Sequence, residues 1–418
     1  MSNTEFYANR RKRLAETMAD NSFYFVCSGN MVESTDDANY IFQPCRNFVY
    51  LTGRKDVDAT LVISKINGTV SETLFMHIPT EKELRWIGTR FDAEEIKTET
   101  GIASLVPNKN WDSFISRMMF YNDVQTVYID LARHNMNYPA NEAQKRANRL
   151  KEIYPFLTIR NAYHTVCKMR SVKDATEIAA HRKAAAITEE AVKNILANMK
   201  PGMTESHIEA YYDFVLKKHG CKFPAFTTIA ATGKNACIMH YDHNDTETKD
   251  GEMILFDLGA QWDLYCTDVS RTYPVNGRFT EKQKMLYNVV LKGLEVAESL
   301  SKPGQLKSEL QQISKKVMAE ELVKIGYIEK EEDINKYYMH GSGHFIGLDV
   351  HDVGDYNDIV LAEDMMFTLE PGLYFDDEKL GIRIEDTILV TKDGCEILSG
   401  GIPKTVEEIE AFMAKSEN

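Results

Sequence analysis

The chain has 418 residues, 43% hydrophobic and 27% charged, which is ordinary for a globular protein and long enough for two cores. Its formal net charge of -14 and pI near 5.4 argue against a general nucleic-acid binder, which would show a basic face. The seven cysteines are scattered, odd in number and free of any CxxC pair. A zinc ribbon or disulfide framework is therefore not expected, and a reducing cytoplasm fits. No run of about 18 apolar residues occurs, so no membrane span is expected.

A basic amphipathic helix is predicted over 4–20, with Leu14 and Met18 on one face and no apolar core of signal-peptide type. Apolar runs rich in aromatic and β-branched residues then predict strands at 22–28, 47–53, 59–64, 73–78 and 124–131. Stretches at 81–87, 110–121 and 140–152 read as helices. This alternation predicts a mixed α/β domain over residues 1–165.

The second domain, 166–418, has a different rhythm. A long helix is predicted over 174–198, with Ser171 as N-cap and Asp174 at the third position. Lys200-Pro201-Gly202 breaks it, and a helix over 204–219 closes at Gly220. Strands follow at 252–260 and 265–275. The pattern then recurs: a helix over 281–300 with a Thr280/Gln283 capping box, a Lys302-Pro303-Gly304 break, a helix over 306–325, and strands at 365–374 and 380–391. This internal repeat predicts two similar halves, each offering one hairpin to a shared cleft.

Four acids sit inside those apolar strand segments: Asp257 in MILFDLGA, Asp268 in LYCTDVSRTYPV, Glu370 in FTLEPGLY and Glu385 in GIRIEDTILV. His344 lies in HGSGHFIGLDVHD. Buried unpaired carboxylates are costly and repel one another. A pair of divalent cations removes both costs. Antiparallel pairing can bring the acids of each hairpin to one face. Oxygen-rich ligands with one imidazole favour Mn²⁺ or Co²⁺ over a structural Zn²⁺. Two such ions about 3.5–4 Å apart can hold a bridging hydroxide and polarise a carbonyl. Singly, each residue has a blander reading: a turn acid, a surface ion pair, or a hydrogen-bonded core histidine. Together, in duplicated strands, they read as a two-metal hydrolytic site.

The segments FDLGA, TDVSRTYPV, HGSGHFIGLDVHDVG, TLEPGLY and GIRIEDTILV resemble the five ligand segments of the proline-specific, pita-bread metallopeptidases, aminopeptidase P and prolidase. NYIFQPCRNFVYLTG resembles the creatinase-like N-terminal domain of the former. The resemblance implies an α+β chain with a smaller mixed α/β domain before a pita-bread domain. It implies that Asp257 holds one metal, that Asp268 and Glu385 bridge both, and that His344 and Glu370 hold the other. Glu370 would also accept a proton from the nucleophilic water. His240 and His351 would act on the substrate and its carbonyl, and His340, Arg383 and Tyr374 would border the proline pocket. The implied cofactor is two Mn²⁺ ions, with Co²⁺ or Zn²⁺ open. The implied substrates are peptides with proline second, or Xaa-Pro dipeptides, and the implied assembly is a homodimer or homotetramer. Methionine aminopeptidases share the ligands but usually lack the first domain. Creatinase lacks the metal set, and inactive pita-bread binding modules lose ligands; this chain keeps all five.

Overall fold

The computed structural model describes residues 3–88, 91–133, 135–341, 343–354 and 359–416. The chain divides into two compact units, residues 1–170 and 171–418.

The first unit is built on a six-stranded mixed sheet. Its spatial order is Ser104–Pro107, Thr69–Met76, Thr60–Ile66, Ser22–Cys27, Thr126–Ile129, Thr158–Asn161. The central strand Ser22–Cys27 runs antiparallel to Thr60–Ile66 and parallel to Thr126–Ile129. Phe23, Phe25, Val62, Phe75 and Val127 pack against Ile115, Met118 and Leu150 of the helices Trp111–Tyr121 and Glu142–Ile153.

The strand expected at 47–53 is instead a helix, Arg46–Thr52, closed by Gly53 in the left-handed conformation. A short apolar run does not distinguish a strand from a buried helix. Here tertiary contacts decide. Arg10 Nη1 donates to Tyr50 O and Arg11 Nη1 to Leu51 O, each at 2.9 Å, so two buried arginines of the helix Asn3–Glu16 satisfy carbonyls of the last turn.

The second unit carries the repeat. The helix Ala175–Asn198 packs on Glu205–Lys218, and Glu281–Leu300 packs on Lys307–Lys324. Its first N-cap lies three residues later than expected. Asp174, not Ser171, accepts from Thr176 N at 3.0 Å and Glu177 N at 3.3 Å, while Glu177 returns a bond to Asp174 N. The Thr280/Gln283 capping box forms as expected. The two Lys-Pro-Gly breaks are equivalent in detail. Gly202 and Gly304 take φ of 87° and 88°, a region glycine enters without strain. Their N–H groups bond Thr248 O and Leu361 O, both at 2.9 Å. The same sequence trio therefore folds the same way twice.

Three strands expected to be continuous are each broken, and each break carries an acid. Asp268 lies between Tyr265–Cys266 and Val269–Pro274, Glu370 between Met366–Leu369 and Gly372–Phe375, and Glu385 between Leu380–Arg383 and Asp386–Val390. Leu369 faces Asp386 and Gly372 faces Arg383, which sets Glu370 opposite Glu385. Asp257 lies within Met253–Leu258 and faces Ser270 rather than Asp268. The halves meet where Glu385 N donates to Ser270 O at 2.9 Å and Arg383 N to Thr272 Oγ1 at 3.1 Å. No helix among the described residues is long and apolar enough to cross a membrane.

Candidate metal centre

The broken strands enclose a cavity of about 270 Å³ within the second unit. Nine of the ten residues singled out from the sequence line it: His240, Asp257, Asp268, His340, His344, His351, Glu370, Arg383 and Glu385. Tyr374 does not. It is buried behind the wall and reaches the cavity through its partners.

Asp268, His344 and Glu385 are buried and offer ligand atoms within 4.8 Å of one another. His344 Nε2 lies 3.2 Å from Asp268 Oδ2 and 4.0 Å from Glu370 Oε1. Its Nδ1 stands 2.9 Å from Phe345 O. In the tautomer that donates Nδ1–H to that carbonyl, Nε2 presents a lone pair to the carboxylates, the orientation a metal-ligating histidine needs. The backbone approach that places this ring requires Gly343. At φ of 136° a Cβ there would lie 1.8 Å from Thr368 O.

Arg383 ties the acids together. Its Nη2 donates to Asp257 Oδ2 at 2.6 Å, Nε to Ser270 Oγ at 2.7 Å, and Nη1 to the Tyr374 hydroxyl at 3.0 Å. Ser270 Oγ passes the chain on to Glu385 Oε2 at 2.8 Å. The Tyr374 hydroxyl stands 2.6 Å from His340 Nε2, and His340 Nδ1 stands 2.6 Å from Gly341 O. Arg383 therefore both orients the carboxylates and offsets part of their charge. The His351 ring stacks on His344, centroids 4.0 Å apart and planes 13° from parallel.

One arginine does not neutralise four acids. Burial, then the charge of Glu385, pushes Asp268 well above the carboxylate range. Burial, then Glu370, does the same to Glu385. Burial raises Glu370 to about 7, against the pull of Arg383. Burial lowers His344 to about 4, with His351 adding to the shift, and lowers His340 to about 4, with Arg383 adding. Among the described residues, Asp257 Oδ1, Asp268 Oδ1 and Glu385 Oε1 are buried without a hydrogen-bond partner. Such orphans are rare and ask for a missing partner. Three unpaired carboxylate oxygens beside a bare imidazole nitrogen fit divalent cations.

Two contributors escaped the sequence reading. Ser270, paired with Asp257 across the sheet, bridges Arg383 to Glu385, and its two-residue spacing from Asp268 in the strand predicted over 265–275 gave a signal for it. Lys307 Nζ donates to Gly343 O at 2.6 Å and is drawn down to about 8 by burial, against the pull of Glu370. Nothing in its local sequence marks it.

A hydrolase built around a buried, oxygen-rich cation site is the class that this fold and donor set define. Residues 179–392 match the model of metallopeptidase family M24, and residues 7–128 match that of the aminopeptidase P N-terminal domain. The Xaa-Pro aminopeptidase of Escherichia coli is 31% identical over 432 residues, with 97% of each chain covered. A Bacillus anthracis structure assigned as an aminopeptidase P superposes with a TM-score of 0.97 at 40% identity, covering 99% of each chain. Zinc-substituted E. coli aminopeptidase P in complex with product gives 0.91 at 30% identity, covering 100% of this chain and 99% of that one. The chain belongs to metallopeptidase family M24, in its Xaa-Pro aminopeptidase and prolidase group. It is a peptidase with an aminopeptidase P-type first domain and a pita-bread second domain, and its family works with divalent metal.

Proposed function

We propose that the chain is a dinuclear exopeptidase that hydrolyses the Xaa-Pro bond at the N-terminus of peptides. The observation that carries this reading is the set of three buried carboxylate oxygens without partners around His344. Asp257 would hold one ion, Asp268 and Glu385 both, and His344 and Glu370 the other. Hard oxygen donors with one imidazole favour Mn²⁺, with Co²⁺ or Zn²⁺ as substitutes. Divalent ions held by these residues would supply Lewis acidity toward the scissile carbonyl and the attacking water.

The chain's own residues do the rest. Glu370 would take a proton from the attacking water and return it to the leaving proline nitrogen, which has no N–H in the peptide. His351 and His240 line the cavity and donate hydrogen bonds as charge develops on the carbonyl oxygen, each worth ~10²–10³ in rate. His340 and Arg383 border the proline ring, and Tyr374 fixes both from behind. The acidic cluster meets the peptide's ammonium group, which favours cleavage from the free end. Retention of all five donors argues against an inactive binding module. The seven cysteines form no disulfide with one another, which fits a cytoplasmic setting, and the family resemblance implies a homodimer or homotetramer.

Asp268→Ala and Glu385→Ala are expected to abolish turnover of an Xaa-Pro peptide in a folded protein. Full activity in either ends the two-metal reading. Comparing Ala-Pro with a longer Ala-Pro peptide separates an aminopeptidase from a prolidase, which would take only the dipeptide.

A further inference from the structure

Glu205 is a buried carboxylate outside the donor cluster, at the first position of the helix Glu205–Lys218 and 0% exposed. Its Oε1 accepts from Thr232 N at 2.7 Å and Asn235 Nδ2 at 3.1 Å. Its Oε2 accepts from the Tyr241 hydroxyl at 2.7 Å and Thr246 N at 3.0 Å. Two carboxylate oxygens offer about four acceptor sites, so this one is filled. The four donors all belong to residues 232–246, the segment that carries His240 into the cavity. The opposite side of that segment is fixed as well: a Cβ on Gly381 would lie 2.1 Å from Ala236 O, so the segment lies directly against the strand that ends at Arg383.

His240 itself has no hydrogen bond among the described residues, and it is exposed at the cavity. Its ring is placed by its backbone alone. The next residue, Tyr241, is buried with its hydroxyl on Glu205. We propose that Glu205 is the positioning residue for His240, holding the 232–246 segment at four points so that the histidine meets the substrate. The proposal rests on the reading of His240 as a substrate-side hydrogen-bond donor.

The chemistry singles out a carboxylate. Glutamine at this position would turn an NH₂ group toward one pair of donors. On the Oε2 side the tyrosine hydroxyl can rotate to accept, but the Thr246 N–H cannot, so one contact becomes repulsive. Tyr241→Phe removes the 2.7 Å bond to Glu205, together with longer 3.4 Å contacts to Asp245 Oδ1 and Thr246 Oγ1, and keeps the ring in place.

The test is a double-mutant cycle on kcat/KM for an Xaa-Pro peptide, with bound metal measured in every variant. Glu205→Gln and Tyr241→Phe are each expected to lower kcat/KM by roughly 10- to 100-fold at unchanged metal content, the scale of a displaced catalytic group. In a His240→Ala background neither is expected to lower it further by more than about twofold. Unchanged kcat/KM in both single variants beside an impaired His240→Ala overturns the proposal while leaving the role of His240 standing. Losses that add fully to that of His240→Ala overturn it too. Wild-type kcat/KM in His240→Ala removes the reading of His240 itself, and the positioning role with it. If Glu205→Gln fails to fold, Tyr241→Phe carries the same comparison.

Discussion

Removing metal from the cluster should make stability fall as pH rises, and adding it back should reverse that fall. The perturbation is chelation, followed by titration with Mn²⁺. Without metal, burial raises Glu370 from 4.5 to about 7. Between those values the folded chain keeps a proton that the unfolded chain has released. The folded state thus binds more protons, and stability declines with rising pH across that window. A shift of this size is worth about 3 kcal/mol once pH exceeds 7. Asp268 and Glu385 are also raised, so they act in the same direction. Cations substitute for those protons and restore stability only where the carboxylates are ionised. For a domain of this size about 3 kcal/mol corresponds to roughly 6–12 °C in Tm. Scanning calorimetry of chelated and Mn²⁺-loaded protein at pH 5 and pH 8 reads the difference directly. The gain on loading should be roughly 6–12 °C or more at pH 8 and small at pH 5, and Glu370→Gln should flatten the dependence. An equal gain at both pH values, or none at pH 8, would refute the electrostatic reasoning.

Other expectations follow from single contacts. Arg383→Met removes the 2.6 Å bond to Asp257 and frees Ser270 and Tyr374, so it should cost about 3–5 kcal/mol, measured by denaturant unfolding. Arg383→Lys should recover little, because a point charge cannot span three partners. Gly343→Ala should lower metal affinity, read by isothermal titration, since its Cβ meets Thr368 O and displaces His344. Asp174→Ala should cost about 1 kcal/mol of unfolding free energy by loss of the helix cap, with kcat unchanged.

The sequence revealed the donors because they contradict their surroundings: acids at Asp257, Asp268, Glu370 and Glu385 in runs that otherwise bury. The repeat was legible for a local reason, since Lys-Pro-Gly dictates the same break at Gly202 and Gly304. What escaped notice depends on contacts distant in sequence. The helix Arg46–Thr52 owes its last turn to Arg10 and Arg11, some forty residues away. The strand breaks at Asp268, Glu370 and Glu385 arise where the two halves meet, a junction no single segment encodes. Glu205 and Lys307 look like solvated helix residues, and only their partners distinguish them. Asp174 was misread as a third-position acid because Ser171 satisfied the same cap rule three residues earlier.

The central claim is that this crowd of acids exists to hold a pair of cations. Anomalous diffraction from crystals grown with Mn²⁺ tests it most directly. Two peaks per chain are expected among Asp257, Asp268, His344, Glu370 and Glu385, with both lost in Asp268→Ala. A fully active crystal form showing no anomalous peak among those side chains, or a single ion bound elsewhere, would contradict it.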